Sequence, residues 1–137
     1  MASGEGLMLS RLRHAFLFLG WLWIVAVFYL SLTPIPPQPV SFEFADKLEH
    51  AAAYAFLMLW FCQIYQLPQR RMVVAALLIA MGVGIEFLQG MTAYRFFEYA
   101  DMLANSTGVF VGWFVAHTRW GGMLFALEQK FMARRHQ

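Results

Sequence analysis

Residues 15–32 read AFLFLGWLWIVAVFYLSL, an unbroken run of 18 residues without a charged side chain. A helix needs about 20 apolar residues to cross the hydrocarbon core of a bilayer, with a range of roughly 17–25. The apolar run is also longer than that of an ordinary cleaved signal peptide. We therefore predict that this segment is a membrane-spanning helix that stays in the protein.

Three further apolar runs follow, and each contains only a few polar residues. We predict transmembrane helices over about residues 15–32, 46–66, 72–90 and 101–118. Pro34 follows the first run, and Pro68 is expected in a short polar turn after the second, because proline lacks an amide donor and ends helices. Residues 91–100 fit either an ordered loop or a short interfacial helix.

The composition agrees with a membrane protein. The chain is 61% hydrophobic and only 13% charged, whereas soluble domains carry about 25% charged residues. The net charge of +2 is too small to indicate nucleic-acid binding, so the lipid bilayer is the expected partner. The length fits a single domain over residues 1–137, and the oligomeric state is left open.

The basic residues predict the orientation of the helices. Eight of the ten Lys and Arg residues fall on one predicted side, whereas Lys47 and Arg95 fall on the other. Short loops rich in Lys and Arg stay in the cytoplasm, so both termini are expected to be cytoplasmic. The eight residues on that side are Arg11, Arg13, Arg70, Arg71, Arg119, Lys130, Arg134 and Arg135.

The last part of the chain has a different pattern. Apolar residues recur there at helical spacing among basic residues, which is typical of a helix lying in the membrane interface. They are Trp120, Met123, Leu124, Leu127 and Phe131. The predicted fold class is therefore all-α, an integral membrane four-helix bundle with a C-terminal amphipathic interfacial helix at residues 119–137.

The polar residues of three predicted helices gather at the end opposite the basic residues. At about 100° per residue, those of each helix share one face. A charge in the bilayer centre costs from about 3 kcal/mol upward, so we expect the three faces to meet in a pocket open to the outer surface. Their polar members are Asp46, Glu49, His50 and Tyr54, then Glu86 and Gln89, then Asp101 and Asn105.

These residue types allow acid–base chemistry and polar binding. Carboxylates crowded together hold a proton more tightly, and histidine exchanges one near neutral pH. The catalytic candidates are therefore Asp46, His50, Glu86 and Asp101. The ligand-binding candidates are Lys47, Tyr54, Gln89, Arg95 and Asn105, of which Arg95 can clamp a phosphate through two hydrogen bonds.

Other interpretations of the cluster stay open. The spacing of His50 and the acids matches no standard zinc pattern, so no metal ligand and no cofactor is assigned. Oxygen and imidazole groups can nevertheless hold a divalent metal ion. Lys47 and Arg95 can also neutralise Asp46, Glu86 or Asp101 in a purely structural network.

The order of these residues resembles the VanZ-like family of bacterial membrane proteins. The resemblance covers roughly residues 25–115 and depends on an ordered set of motifs rather than on one of them. The motifs are Ser31-Leu32-Thr33-Pro34, Asp46-Lys47-x-x-His50-x-x-x-Tyr54, Glu86-x-x-Gln89 and Arg95-x-Phe97-x-x-x-Asp101-x-x-x-Asn105-x-x-Gly108, with Gly112 after them.

The resemblance implies a four-helix protein of the bacterial cytoplasmic (inner) membrane. The founding member of that family is associated with low-level resistance to the glycopeptide antibiotic teicoplanin. We therefore expect a cell-envelope protein that binds or modifies a lipid-linked or headgroup ligand, with glycopeptide resistance as one outcome. Two alternatives are an intramembrane hydrolase or transferase acting on phosphate or sugar headgroups, and a non-catalytic membrane partner subunit. Whether the chain is an enzyme is left open.

Overall fold

The fold is entirely helical over the part of the chain that the computed structural model describes, residues 4–35 and 44–133. The predicted all-α class is confirmed, and no strand occurs within those two ranges. The helices are α1 (Gly4–Leu32), α2 (Ala45–Ile64), α3 (Pro68–Gly90), α4 (Tyr99–Ala116) and α5 (Met123–Ala133), with a short 3-10 helix (Arg119–Gly122) before α5.

The helix ends differ slightly from the predicted ones. The predicted polar turn at Pro68 is wrong, because Pro68 is the first residue of α3. Proline suits that position, since the first amides of a helix have no partner within it. Between α3 and α4, residues 91–98 form a turn and an extended loop, so the interfacial helix considered there does not occur.

Helix α2 lies at the centre and packs against α1, α3 and α4. Its fully buried side chains include Tyr54, Leu57, Met58 and Cys62. Along the middle of the helices the interior is apolar. Burial of this face of α2 is therefore the main contribution of packing to stability. Cys62 is a free thiol inside that core.

Two glycines let α4 approach α2 closely. A methyl group at Gly108 would collide with the backbone carbonyl of Ala51, and one at Gly112 would collide with that of Ala55. Small residues four apart on a helix permit this backbone contact. The close approach brings the first turns of α2 and α4 together, which places their polar residues side by side.

Helix α1 packs at the edge through aromatic side chains. Phe16 stacks on Trp60 with ring centroids 4.9 Å apart, and Trp60 Nε1 donates a 2.9 Å hydrogen bond to the Phe16 carbonyl. Trp23 meets Phe56 edge to face at 5.1 Å. Most other α1 side chains are exposed, so α1 presents a broad apolar surface outward.

Arg71 ties the helices together at one end of the molecule, which we call the arginine end. Its guanidinium is buried and donates to the carbonyls of Tyr65, Cys62, Ala116 and Gly121 at 2.9–3.2 Å. The last carbonyls of a helix have no partner within the helix. Arg71 therefore completes the ends of α2 and α4, a role beyond the orientation signal that the sequence indicates.

The segment after α4 packs on the same end. The Gln63 side chain donates to the Trp120 carbonyl at 2.6 Å and accepts from the Leu124 amide at 3.4 Å. Leu124 is buried, whereas Met123 and Leu127 are about half exposed. A helix thus occurs over part of the predicted tail. Its interfacial position stays a prediction, and residues 134–137 lie outside the described ranges.

Candidate functional site

A pocket of about 480 Å³ opens at the other end of the molecule, which we call the acidic end. The C-terminal end of α1, the first turns of α2 and α4, the end of α3 and the loop at residues 91–98 surround it. The polar residues that line it are Ser31, Asp46, Glu49, His50, Tyr54, Gln89, Tyr94, Arg95, Glu98 and Asp101.

Lys47 joins three carboxylates at the acidic end. Its Nζ lies 2.9 Å from Asp46, 2.5 Å from Glu98 and 2.5 Å from Asp101. These residues belong to α2, to the loop and to α4, so the ion pairs connect three parts of the chain. The neutralising role considered for Lys47 is therefore confirmed for Asp46 and Asp101.

Arg95 has a different environment from Lys47. Its Nε lies 3.4 Å from the Ser31 carbonyl, and it forms no ion pair with a carboxylate of the described residues. The Gln89 side chain donates to the same carbonyl at 2.8 Å, and Tyr94 donates to the Leu32 carbonyl at 3.0 Å. Arg95 thus anchors α1 through Nε while its outer nitrogens remain available to the pocket.

His50 lies between two residues of α4. Its Nδ1 is 3.1 Å from Asn105 Oδ1, and its Nε2 is 3.7 Å from an oxygen of Asp101. An amide oxygen only accepts hydrogen bonds, so in this arrangement Nδ1 carries the proton. Nε2 faces Asp101 and the pocket: in the imidazolium it carries a proton toward that carboxylate, and in the neutral ring it has a lone pair.

Glu86 is the most deeply buried ionisable residue of the cluster. It is 0% exposed, and its Oε2 accepts a 3.2 Å hydrogen bond from the Glu98 amide. Its Oε1 has no hydrogen-bond partner among the described residues. One oxygen of Glu86, one nitrogen of His50 and one oxygen of Asp101 all lie within 4.8 Å of one another.

Other buried polar atoms of the site are also without partners within residues 4–35 and 44–133. They are Glu49 Oε1, the Tyr54 hydroxyl, Gln89 Oε1 and Asn105 Nδ2. Buried polar groups in folded proteins are nearly always hydrogen-bonded, and leaving one unpaired costs about 1–3 kcal/mol. Several such atoms together at one pocket leave hydrogen-bonding groups free for whatever occupies it, whether water, an ion or a ligand.

The structure brings all nine candidate residues to one end of the molecule. Six line the pocket directly: Asp46, His50, Tyr54, Gln89, Arg95 and Asp101. Lys47, Glu86 and Asn105 lie behind that lining and hold its members in place through the contacts described above. The pocket therefore agrees with the predicted location, although the sequence does not separate lining from supporting residues.

Some lining residues were not predicted as site residues. Val27, Leu30 and Ser31 of α1 form one wall, whereas the prediction used only the second, third and fourth helices. The end of α1 carries no ionisable residue that would have marked it. Glu49, Tyr94 and Phe96 also line the pocket. Glu49 shares the predicted polar face of α2 with Asp46 and His50, although it was not named as a catalytic or binding candidate.

Negative charge exceeds positive charge at the acidic end. Among the described residues, its Lys and Arg side chains are Lys47 and Arg95. The carboxylates described there are Asp46, Glu49, Glu86, Glu98 and Asp101. Burying like charges without compensation is unfavourable. The site is therefore suited to a ligand that brings positive charge or hydrogen-bond donors.

Comparison with known proteins gives one relative and no assigned activity. No family model and no solved structure matches the chain. An uncharacterized protein of Schizosaccharomyces pombe is 32% identical over 83 residues, which cover 58% of this chain and 49% of that protein. The chain thus matches about half the length of that curated relative.

Proposed function

We propose that this chain is an integral membrane protein whose acidic-end pocket binds the polar headgroup of a lipid or a lipid-linked molecule. The observation that carries the proposal is the position of the pocket. It lies where the apolar lengths of the helices end, and it combines buried carboxylates, His50 and Arg95 with the apolar wall of α1. A lipid would meet a polar site and an apolar surface together there.

The outer surface of the helices supports the membrane part of the proposal. Two segments, Ser10–Leu32 and Pro68–Gly90, are long and apolar enough to cross a membrane, by length and composition alone. Large apolar side chains on α1, α3 and α4 are exposed, among them Trp21, Leu77 and Phe114 at 61–77%. Apolar patches of this extent on a protein favour contact with lipid or a partner.

The two remaining long helices are less apolar because they carry the site. Asp46, Lys47, Glu49 and His50 fall in the first turns of α2, and Asp101 falls in the first turn of α4. These two helices pack face to face and turn their polar residues inward. We infer that α2 and α4 form the inner pair of the bundle, with α1 and α3 facing lipid.

The chemistry of the pocket favours headgroups with hydrogen-bond donors. Carboxylates only accept hydrogen bonds, and both sugar hydroxyls and amines donate them. The outer nitrogens of Arg95 suit a phosphate oxygen of the same headgroup. A glycolipid, a lipid-linked sugar or an ethanolamine phospholipid meets these requirements.

The test is lipid retention by the purified full chain, measured by native mass spectrometry. Phosphatidylethanolamine and phosphatidylcholine share a phosphate, but only ethanolamine has an ammonium group that donates hydrogen bonds. We expect preferential retention of phosphatidylethanolamine or a glycolipid over phosphatidylcholine, and loss of that preference in D46N and R95Q. Arg70 is exposed at the arginine end, so R70Q is the matched control and should retain the preference.

Equal retention of all lipids by the native chain would contradict the headgroup proposal. So would an unchanged preference in D46N and R95Q when both variants remain folded. The resemblance to the VanZ-like family adds the proposal of a bacterial cytoplasmic membrane location with cytoplasmic termini. A link to teicoplanin resistance depends on that resemblance alone, and a deletion strain with unchanged susceptibility would argue against it.

A second candidate function is a hydrolase or transferase acting on headgroup phosphates or sugars. The observation that favours it is the His50–Asp101 pair at the pocket, because an enzyme of this kind needs a proton donor or acceptor within reach of the substrate. The test compares lipid profiles of cells that express the native chain or H50Q. Identical profiles would argue against catalysis.

The third candidate is a non-catalytic partner subunit in which the cluster only holds the helices together. The ion pairs of Lys47 favour it, since they join α2, α4 and the intervening loop. That function predicts that the double variant D46N/K47M keeps both fold and activity. A folded double variant that lacks the cellular phenotype would contradict it.

A further inference from the structure

We propose that His50, Glu86 and Asp101 form a binding site for one divalent transition-metal ion, such as Mn²⁺ or Zn²⁺, at the base of the acidic-end pocket. The proposal uses the same pocket as the proposed headgroup site, but it does not depend on which headgroup binds. It gives the buried Glu86 oxygen of the cluster an interaction partner.

The three donor atoms are close enough for one ion. A nitrogen of His50 and oxygens of Glu86 and Asp101 lie within 4.8 Å of one another. Donors bound at about 2.1 Å to a common ion lie roughly 3.4 Å apart in a tetrahedral arrangement. The side chains therefore need to move inward by only about 1 Å, which side-chain rotation provides.

Glu86 has an oxygen ready for coordination. Its Oε2 is used by the Glu98 amide, whereas Oε1 is buried and without a partner among the described residues. The side chain is 0% exposed, so solvent does not satisfy that oxygen. An ion bound to Oε1 would supply the missing interaction and remove the cost of a buried charge.

The hydrogen bond to Asn105 orients His50 for coordination of the ion. The Asn105 amide oxygen, 3.1 Å from Nδ1, accepts the proton of Nδ1, so a neutral imidazole would coordinate the ion through the lone pair of Nε2. In metal-binding histidines, the ring nitrogen that does not bind the metal usually donates a hydrogen bond from its N–H to such an acceptor. This hydrogen bond fixes the orientation of the ring and its tautomer. Asn105 is 1% exposed, so it is a positioning residue and does not coordinate the ion.

The surrounding charge also favours a cation. Lys47 pairs with Asp46, Glu98 and one oxygen of Asp101, and the second oxygen of Asp101 is the one facing His50. Lys47 therefore does not occupy the proposed coordination position. One imidazole and two carboxylates suit Mn²⁺ or Zn²⁺ better than a soft ion, which prefers thiolates.

The arrangement leaves room for further ligands of the ion. His50 and Asp101 line the pocket, whereas Glu86 lies behind it. Three protein ligands with an open position toward a cavity are typical of metal sites that also bind a second molecule. A headgroup phosphate or hydroxyl can occupy that position. The positive charge of the ion would also offset the excess of carboxylates at the pocket.

The test is Mn²⁺ binding by the purified full chain in detergent, after chelator treatment and without added lipid. Electron paramagnetic resonance should give one bound Mn²⁺ per chain, with a magnetic coupling to an imidazole nitrogen. H50Q, E86Q and D101N should each weaken binding by more than about tenfold, and N105A by about 10–100-fold. The nitrogen coupling in the native chain is a readout that does not depend on any variant folding.

Matched controls separate coordination from general attraction of cations. D46N removes one negative charge from the same pocket without removing a proposed ligand, so it should bind Mn²⁺ within about threefold of the native chain. H14Q and H117Q alter exposed histidines and should keep the nitrogen coupling. Absence of stoichiometric binding at 1 mM Mn²⁺, roughly the weakest affinity of a functional site, would overturn the proposal. So would nitrogen coupling in H50Q, or equal losses in D46N and D101N.

Failure of the metal site and failure of the headgroup site are distinguishable. Mn²⁺ binding is measured without lipid, and lipid retention is measured with and without Mn²⁺. A chain that retains its headgroup preference but binds no Mn²⁺ overturns only the metal site. A chain that binds Mn²⁺ through His50 but shows no headgroup preference overturns only the proposed function.

Discussion

The two ends of the molecule both bury polar side chains, but they satisfy them differently. At the arginine end, Arg71 has all three guanidinium nitrogens hydrogen-bonded, mostly to carbonyls that end α2 and α4. At the acidic end, Glu86, Gln89 and Tyr54 each bury an atom with no partner among the described residues. The first arrangement makes its hydrogen bonds within the described chain, and the second leaves hydrogen-bonding atoms open toward the pocket.

The difference teaches that buried polarity alone does not identify a functional site. A buried charge whose hydrogen bonds are all made within the chain contributes to the fold, as Arg71 does. A cluster that keeps unpaired atoms and an excess of one charge lowers stability unless something binds there. We therefore assign structure to the arginine end and binding to the acidic end.

The largest expected effect is at the arginine end. R71A removes a buried guanidinium and leaves the carbonyls of Tyr65 and Ala116 without a side-chain donor among the described residues. Each buried carbonyl left unpaired costs about 1–3 kcal/mol, and the loss should appear in the free energy of unfolding in detergent. R70A, at the exposed neighbouring residue, should change stability by no more than about 0.5 kcal/mol. Equal losses in the two variants would contradict the structural role of Arg71.

The next largest effect on stability is expected in the middle of the molecule, where α2 and α4 pack closely. G108A places a methyl group against the Ala51 carbonyl and should lower the free energy of unfolding by about 1–3 kcal/mol. Gly84 on α3 has no neighbouring atom within 4 Å of an added methyl group. G84A should therefore be neutral or raise stability by about 0.5–1 kcal/mol, the usual gain of alanine over glycine in a helix. Similar destabilisation by both variants would show that α2 and α4 do not approach closely.

A third variant sharpens the contrast at the acidic end. E86Q keeps an oxygen that accepts from the Glu98 amide and removes the buried charge. Stability should change by less than about 1 kcal/mol, or should rise, since an unpaired buried charge is unfavourable. Binding of Mn²⁺ should nevertheless weaken by more than about tenfold. A large loss of stability, comparable with that of R71A, would instead make the acidic end structural.

The smallest effect is expected at Lys47. Its side chain is partly exposed at 23%, and exposed ion pairs contribute about 0–1 kcal/mol. K47M should therefore destabilise the chain by only about 1 kcal/mol, and D46N in the same chain should recover part of that loss. Thermal unfolding of the single and double variants measures the coupling. Additive losses would show that the Lys47–Asp46 pair contributes nothing to stability.

Much of the fold could be predicted, because long apolar runs indicate helices and prolines indicate where helices begin or end. Helical periodicity also placed Asp46, His50 and Asp101 on faces that meet in the structure. The location of the site was therefore accessible from sequence alone. Periodicity gives the face of each helix but not its neighbour, so it does not show that Ser31, although part of the motifs that carry the resemblance, lines the pocket.

The roles of individual cations could not be predicted for the same reason. Lys47 and Arg95 look alike in sequence, each beside acidic residues, yet only Lys47 forms ion pairs among the described residues. Arg71 follows Arg70 directly, and one is buried whereas the other is exposed. These differences depend on which backbone carbonyls and carboxylates lie within reach, and only the packed chain determines that.

The measurement that tests the central claim most directly is thermal unfolding of E86Q beside R71A and the native chain, in detergent without lipid or metal. The account predicts that E86Q unfolds at or above the temperature of the native chain, whereas R71A unfolds well below it. An E86Q chain that unfolds as far below the native chain as R71A does would contradict the assignment of binding to the acidic end.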